Sequence, residues 1–104
     1  MRIAMIGGDP ALSPTLSLLA GHRGHSFAAA GGPAEELRPT EVAALARAAD
    51  VLLVVGLPER HRVAQLAAQL LRPRGLQPVF LDGCGVARFA GLLDALGVQR
   101  RRAG

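Results

Sequence analysis

Two short stretches carry the residue types that can do chemistry. The first is Pro58-Glu59-Arg60-His61-Arg62, which follows the aliphatic run at residues 51–55. The second is Gly83-Cys84-Gly85, which follows "PVFLD". A histidine in the first turn of a helix stays neutral, because the helix N-terminus disfavours imidazolium, and a neutral imidazole can ligate a metal. Arg60 and Arg62 on either side can pair with carboxylates or phosphates of a bound molecule. A cysteine at the same place in a helix has its thiol pKa lowered, which favours thiolate for ligation or redox chemistry. Each site also has a plainer reading. His61 then is a solvated turn residue and Cys84 a small residue buried in a tight turn.

A third stretch, Gly7-Gly8-Asp9-Pro10, closes the first apolar run where a phosphate loop would sit. It matches neither G-x-G-x-x-G nor G-x-x-x-x-G-K-[ST]. Asp9 repels phosphate there and Pro10 removes a backbone donor. Dinucleotide and ATP binding are therefore poorly supported, and close packing at a turn explains the double glycine as well. His22 and His25 form a weak candidate metal pair, with no carboxylate or cysteine nearby. No Ser-His-Asp order and no pair of carboxylates flanking a cleft appears, so the chain reads as non-enzymatic.

The elements that must position these residues follow from hydrophobic periodicity. Residues 2–8, 25–30, 51–55 and 78–83 read as strands, the second of them weak and rich in Ala. A helix is expected after Ser13, capped by it, with Pro14 at its first position and Leu12, Leu16 and Leu19 inward. Thr40 is expected to cap a second helix. A third runs from about residue 59 to Leu71, with Val63, Leu66, Ala67 and Leu70 on one face. The last covers residues 85–97, with Phe89, Leu92, Leu93 and Leu96 inward. Four alternations of strand and helix predict an α/β fold, with a parallel sheet and helices on both faces. Right-handed crossovers leave few topologies, and the order 2-1-3-4 of a Rossmann-like, flavodoxin-like sheet is expected. Ligands of such sheets bind at the carboxyl ends of the strands, which selects the three stretches above.

The 104 residues make a single domain over 1–98 and a basic tail over 99–104. No apolar run reaches the length of a membrane span and no signal-peptide pattern opens the chain, so a cytoplasmic protein is expected. A lone cysteine fits a reducing compartment. All twelve basic residues are Arg, and the net charge is +4. The arginines are scattered apart from Arg100-Arg101-Arg102, a tail expected to fray. With no Trp or Tyr and three Phe, there is no aromatic platform for bases. Nucleic-acid binding ranks last on that ground. A small open sheet with two edges predicts a homo-oligomer, a dimer or a tetramer.

Gly7-Gly8, Ala49-Asp50, Val51–Val55, His61, Gly75, Pro78 and Gly83-Cys84-Gly85 together resemble a bacterial family, the domain of unknown function numbered twenty-three twenty-five. The resemblance spans nearly the whole chain and is most specific from Ala49 to Gly75. It implies a small cytosolic α/β domain whose relatives include homotetrameric haem proteins. Carried onto this sequence, it makes His61 the candidate axial haem ligand. Cys84 is then a second or alternative ligand, and Arg60, Arg62 and Arg88 lie near the propionates. Gly7, Gly8, Gly83 and Gly85 line the cofactor-binding edge. Three departures bear on this. Asp9 stands where relatives often have Arg, Ala29-Ala30 where they often have His, and Leu57-Pro58 where they often have Thr-Asp. A haem-binding protein for sensing, storage or electron transfer is the expected function. The alternative is a regulatory domain of receiver-like shape that binds a protein or a small anion without a cofactor. A phosphotransfer pocket is not expected, since Asp9 alone follows the first strand and Val55-Gly56 end the third.

Overall fold

The computed structural model describes residues 1–30 and 37–103, with side chains as far as residue 96. Four aliphatic runs form strands: β1 (Arg2–Gly7), β2 (Ser26–Ala29), β3 (Val51–Val55) and β4 (Val79–Leu81). They make one all-parallel sheet in the order β2-β1-β3-β4, the order expected from the alternation. The register pairs Met5 with Leu53 and Val54 with Phe80. Each strand connects to the next through a helix: α1 (Ser13–His22), α2 (Pro39–Ala48) and α3 (Arg62–Leu71), with α4 (Val86–Ala103) following β4. The fold is a small Rossmann-like α/β domain. No helix among the described residues is long and apolar enough to cross a membrane.

The period of two along each strand divides the core into two layers. Ala4, Ile6 and Leu52 face α2 and α3, where they meet Val42, Ala46, Val63, Ala67 and Leu71. Ile3, Met5, Leu53, Val55 and Leu81 face α1 and α4, where they meet Leu16, Ala20, Phe89 and Leu93. The rings of Phe27 and Phe89 meet edge to face at 5.4 Å and 72°, joining β2 to α4. Small residues such as Ala20, Ala64 and Ala67 are fully buried, letting the helices lie close to the sheet.

The element ends differ from the sequence expectation in four places, each for a local reason. Ser13 does not cap α1. Asp9 instead caps a short 3-10 turn, Pro10–Leu12, which runs into the helix. Thr40 lies inside α2, because Pro39 takes the first helical position behind an extended Arg38. The helix α3 starts at Arg62 and not near Glu59, since residues 56–61 are used in the turn. The last helix continues through Gly97 to Ala103. The Arg100-Arg101-Arg102 stretch thus has helical backbone.

The buried face of α3 is rotated from the expected one. In α3 the fully buried set is Val63, Ala64, Ala67 and Leu71, while Leu66 and Leu70 are only partly covered.

Candidate functional site

Three turns line the carboxyl edge of the sheet. At the end of β1, Gly7 and Gly8 both have positive φ, 81° and 80°. A Cβ at Gly7 would overlap the backbone carbonyl of Val55, the neighbouring strand end. The first glycine is therefore required by the close approach of β1 and β3, with no ligand needed to explain it. Asp9 Oδ1 accepts the Ala11 N–H at 2.9 Å, so its carboxylate is occupied in the turn.

At the end of β3, Gly56 donates to the Leu81 carbonyl at 2.7 Å and Leu57 packs on the α2–α3 layer. The His61 N–H donates to the Pro58 carbonyl at 3.0 Å, which closes the turn. His61 is half-buried and takes an extended backbone conformation. Its Nδ1 accepts the Val63 N–H at 3.2 Å. The imidazole thus serves as the N-cap of α3, one step before the helix, and not as a residue of its first turn as expected from the sequence. Glu59, Arg60 and Arg62 are exposed.

At the end of β4, the Gly85 carbonyl accepts the Phe89 N–H at 3.0 Å and starts α4. Cys84 is 8% exposed and packs in the α1–α4 layer with Ile3, Met5, Leu16, Leu81 and Phe89. Burial pushes its thiol pKa up, and the exposed Arg88 one turn along α4 lowers it only in part. This is opposite to the lowering expected from a helix N-terminus, and its cause is the loss of solvation on burial. A Cβ at Gly83 or Gly85 would meet nothing within 4 Å, so neither glycine is required by packing.

The carboxyl edge therefore gathers Gly7, Gly8, His61, Gly83, Cys84 and Gly85, but it does not bring His61 and Cys84 into one site. The helix that His61 caps lies on one face of the sheet and Cys84 is packed on the other. Among the described residues no group of three or more His, Cys, Asp or Glu side chains is placed to hold a metal ion.

The fit to haem can be judged from His61 itself. With Nδ1 accepting a backbone N–H, the neutral ring carries its proton on Nε2. Ligation through Nε2 needs the other tautomer, with a proton on Nδ1, and that tautomer cannot cap α3. Cys84 is held as a buried thiol on the far side of the sheet. The residues of one copy do not fit haem.

His22 is exposed, while His25 is buried at the amino edge, with its Nδ1 2.9 Å from the Met1 amine. The pair does not form a surface metal site.

A different site lies along β4. A cavity of about 570 Å³ is lined by Glu59, Ala68, Arg72, Leu76, Gln77 and Phe80, between α3 and the outer side of β4. On the opposite face, an apolar cavity of about 210 Å³ is lined by Leu53, Val79, Phe89, Leu92 and Leu96. Arg72 and Phe80 were not among the residues singled out by their chemistry, and Glu59 lay in the first stretch without a role assigned to it. The signal for them was Pro78, since proline beside a strand marks an edge. No family model, curated protein or solved structure matches this chain.

Proposed function

We propose that this chain is a non-enzymatic interaction domain that associates with copies of itself. One observation carries the reading. The sheet ends on β4, whose outer edge meets no further strand among the described residues, whose Val79 is 37% exposed and whose Phe80 is half-buried, with grooves on both faces. An open edge with apolar residues on both faces favours a partner that covers it. A cytosolic setting belongs to the same proposal, since the lone Cys84 is kept as a buried thiol. The test is light scattering coupled to size exclusion over a wide concentration range. A mass above that of one chain supports the reading, and a monomer throughout overturns it.

Haem binding is the second reading. His61 favours it by standing half-exposed at the carboxyl edge between Arg60 and Arg62, at the position that the resemblance to family twenty-three twenty-five makes the axial ligand. Because one copy does not fit the cofactor, this reading needs an interface between copies and a His61 released from its cap. Titration with hemin decides it. A sharp Soret band that is lost in His61→Ala supports ligation, and the broad absorbance of free hemin removes it.

A further inference from the structure

We propose that two copies join their sheets at β4, antiparallel about a two-fold axis through Phe80, with Glu59 of each copy against Arg72 of the other. This rests on the self-association reading and names its surface.

The backbone supplies the first argument. The Leu81 carbonyl accepts the Gly56 N–H, so the polar groups of Leu81 point toward β3. Successive residues of a strand alternate, which turns the N–H and C=O of Phe80 outward. An antiparallel partner centred on Phe80 exchanges both bonds with the same residue of the second copy, as a hydrogen-bonded pair requires. Pro78 has no N–H to leave unpaired on that side.

Charge supplies the second. The helix α3 runs antiparallel to the strands, from the carboxyl edge back to the amino edge. Glu59 precedes it and Arg72 follows it, and both line the groove beside Phe80. A two-fold axis through Phe80 exchanges the two edges of the sheet. Glu59 of one copy then meets Arg72 of the other, twice, in an isologous interface. Both side chains are exposed, and among the described residues neither has an ion-pair partner in its own chain.

The other face of the sheet is consistent with the same axis. Val79 opens the apolar cavity at the amino edge, and Val86, 39% exposed, begins α4 at the carboxyl edge. The axis carries Val86 of one copy toward the Val79 groove of the other. Two of the three large exposed apolar side chains among the described residues, Val79 and Val86, are then drawn into one interface.

Charge reversal tests this, with the oligomer mass as the readout and circular dichroism as the check on folding. Glu59→Arg alone places two arginines together and Arg72→Glu alone places two glutamates together. Each should weaken dimerisation by about tenfold or more, since like charges face each other across an interface. Mixing the two single variants should restore a heterodimer, and the double variant Glu59→Arg/Arg72→Glu should restore the homodimer. An oligomer that none of these changes affects overturns the β4 interface and leaves self-association through another surface. A wild-type monomer overturns both. Assembly beyond a dimer that falls apart in half-steps with either single variant supports the proposal.

Discussion

The Nδ1 atom of His61 and the backbone N–H of Val63 are 3.2 Å apart and form the first hydrogen bond of α3. That contact fixes the ring at the turn and gives it a structural task. His61→Ala should cost about 1 kcal/mol by urea denaturation, the usual loss on removing an N-cap. His61→Asn should recover most of it, because Asn caps well. A haem ligand gives another pattern: both variants lose the Soret band, since neither Ala nor Asn replaces an imidazole on iron.

Gly7 and the glycines flanking Cys84 should respond in opposite ways. Gly7→Ala places a methyl group on the Val55 carbonyl at a positive φ. It should destabilise the fold by about 3–5 kcal/mol, the range of the severe single substitutions. Gly83→Ala and Gly85→Ala meet open space and should stay within about 0.5 kcal/mol of the parent, as surface changes do. Thermal melts of the three variants make the comparison. A change in ligand binding by the latter two then reports on the loop itself and not on the fold.

Cys84 should be slow to alkylate. Iodoacetamide needs thiolate, and burial keeps the proton on this sulfur. The native rate at neutral pH should fall well below that of the urea-unfolded chain. The sign for stability follows from the same shift. The folded pKa is raised, so the unfolded chain loses its proton first as pH rises. Cys84 then contributes fully below the ordinary thiol range, and the contribution fades above it. A Cys84→Ala variant lacks that alkaline slope.

Asp50 gives the opposite dependence. The Arg2 N–H donates to its carboxylate at 2.8 Å and is the main cause of a pKa below the ordinary carboxylate value, with the Arg2 charge adding to it and burial opposing it. A depressed pKa contributes stability at and above the ordinary aspartate range, and the contribution is lost as pH falls below it. The carboxylate is 39% exposed, so solvent weakens the effect. Asp50→Asn should cost about 1 kcal/mol at neutral pH and nothing in strong acid. Denaturation curves at several pH values measure the difference.

The sheet order was legible because β1 and β3 are nearly unbroken aliphatic runs and the helices between them carry glycine and proline at their ends. Position along the chain also placed Gly7, His61 and Cys84 at the carboxyl edge. What the sequence did not yield was the face. Whether His61 and Cys84 meet depends on which side of the sheet each crossover takes, and α3 and α4 lie on opposite sides. The role of His61 was hidden for a related reason. A cap and a first-turn residue are nearly adjacent in the chain, and the turn after Gly56 runs on to His61, about three residues past the helix start that the pattern shows. Arg74 was equally silent. Its guanidinium donates to the carbonyls of Ala46 and Ala49, at 2.5 and 2.7 Å, across a gap of more than twenty residues. Local patterning has no term for such a contact.

That arginine has a consequence for how the molecule opens. Arg74 holds the last turn of α2 and lies 3.9 Å from Asp50, which in turn grips Arg2. The Asp50 N–H returns a bond to the Arg2 carbonyl at 2.7 Å. One rim of the sheet is therefore laced together by the side chains of Asp50 and Arg74, which tie the end of α2 and the turn after α3 to β1. At the other rim, where β3 and β4 end, backbone bonds join Gly56 to Leu81 and His61 to Pro58, and the side-chain bond of His61 reaches only two residues along, to Val63. Deuterium should enter the amides of residues 56–61 and 82–85 long before those of Arg2 and Asp50. The domain then unzips from the rim that carries His61 and Cys84, and an occupant that settled there would act by closing the end that opens first.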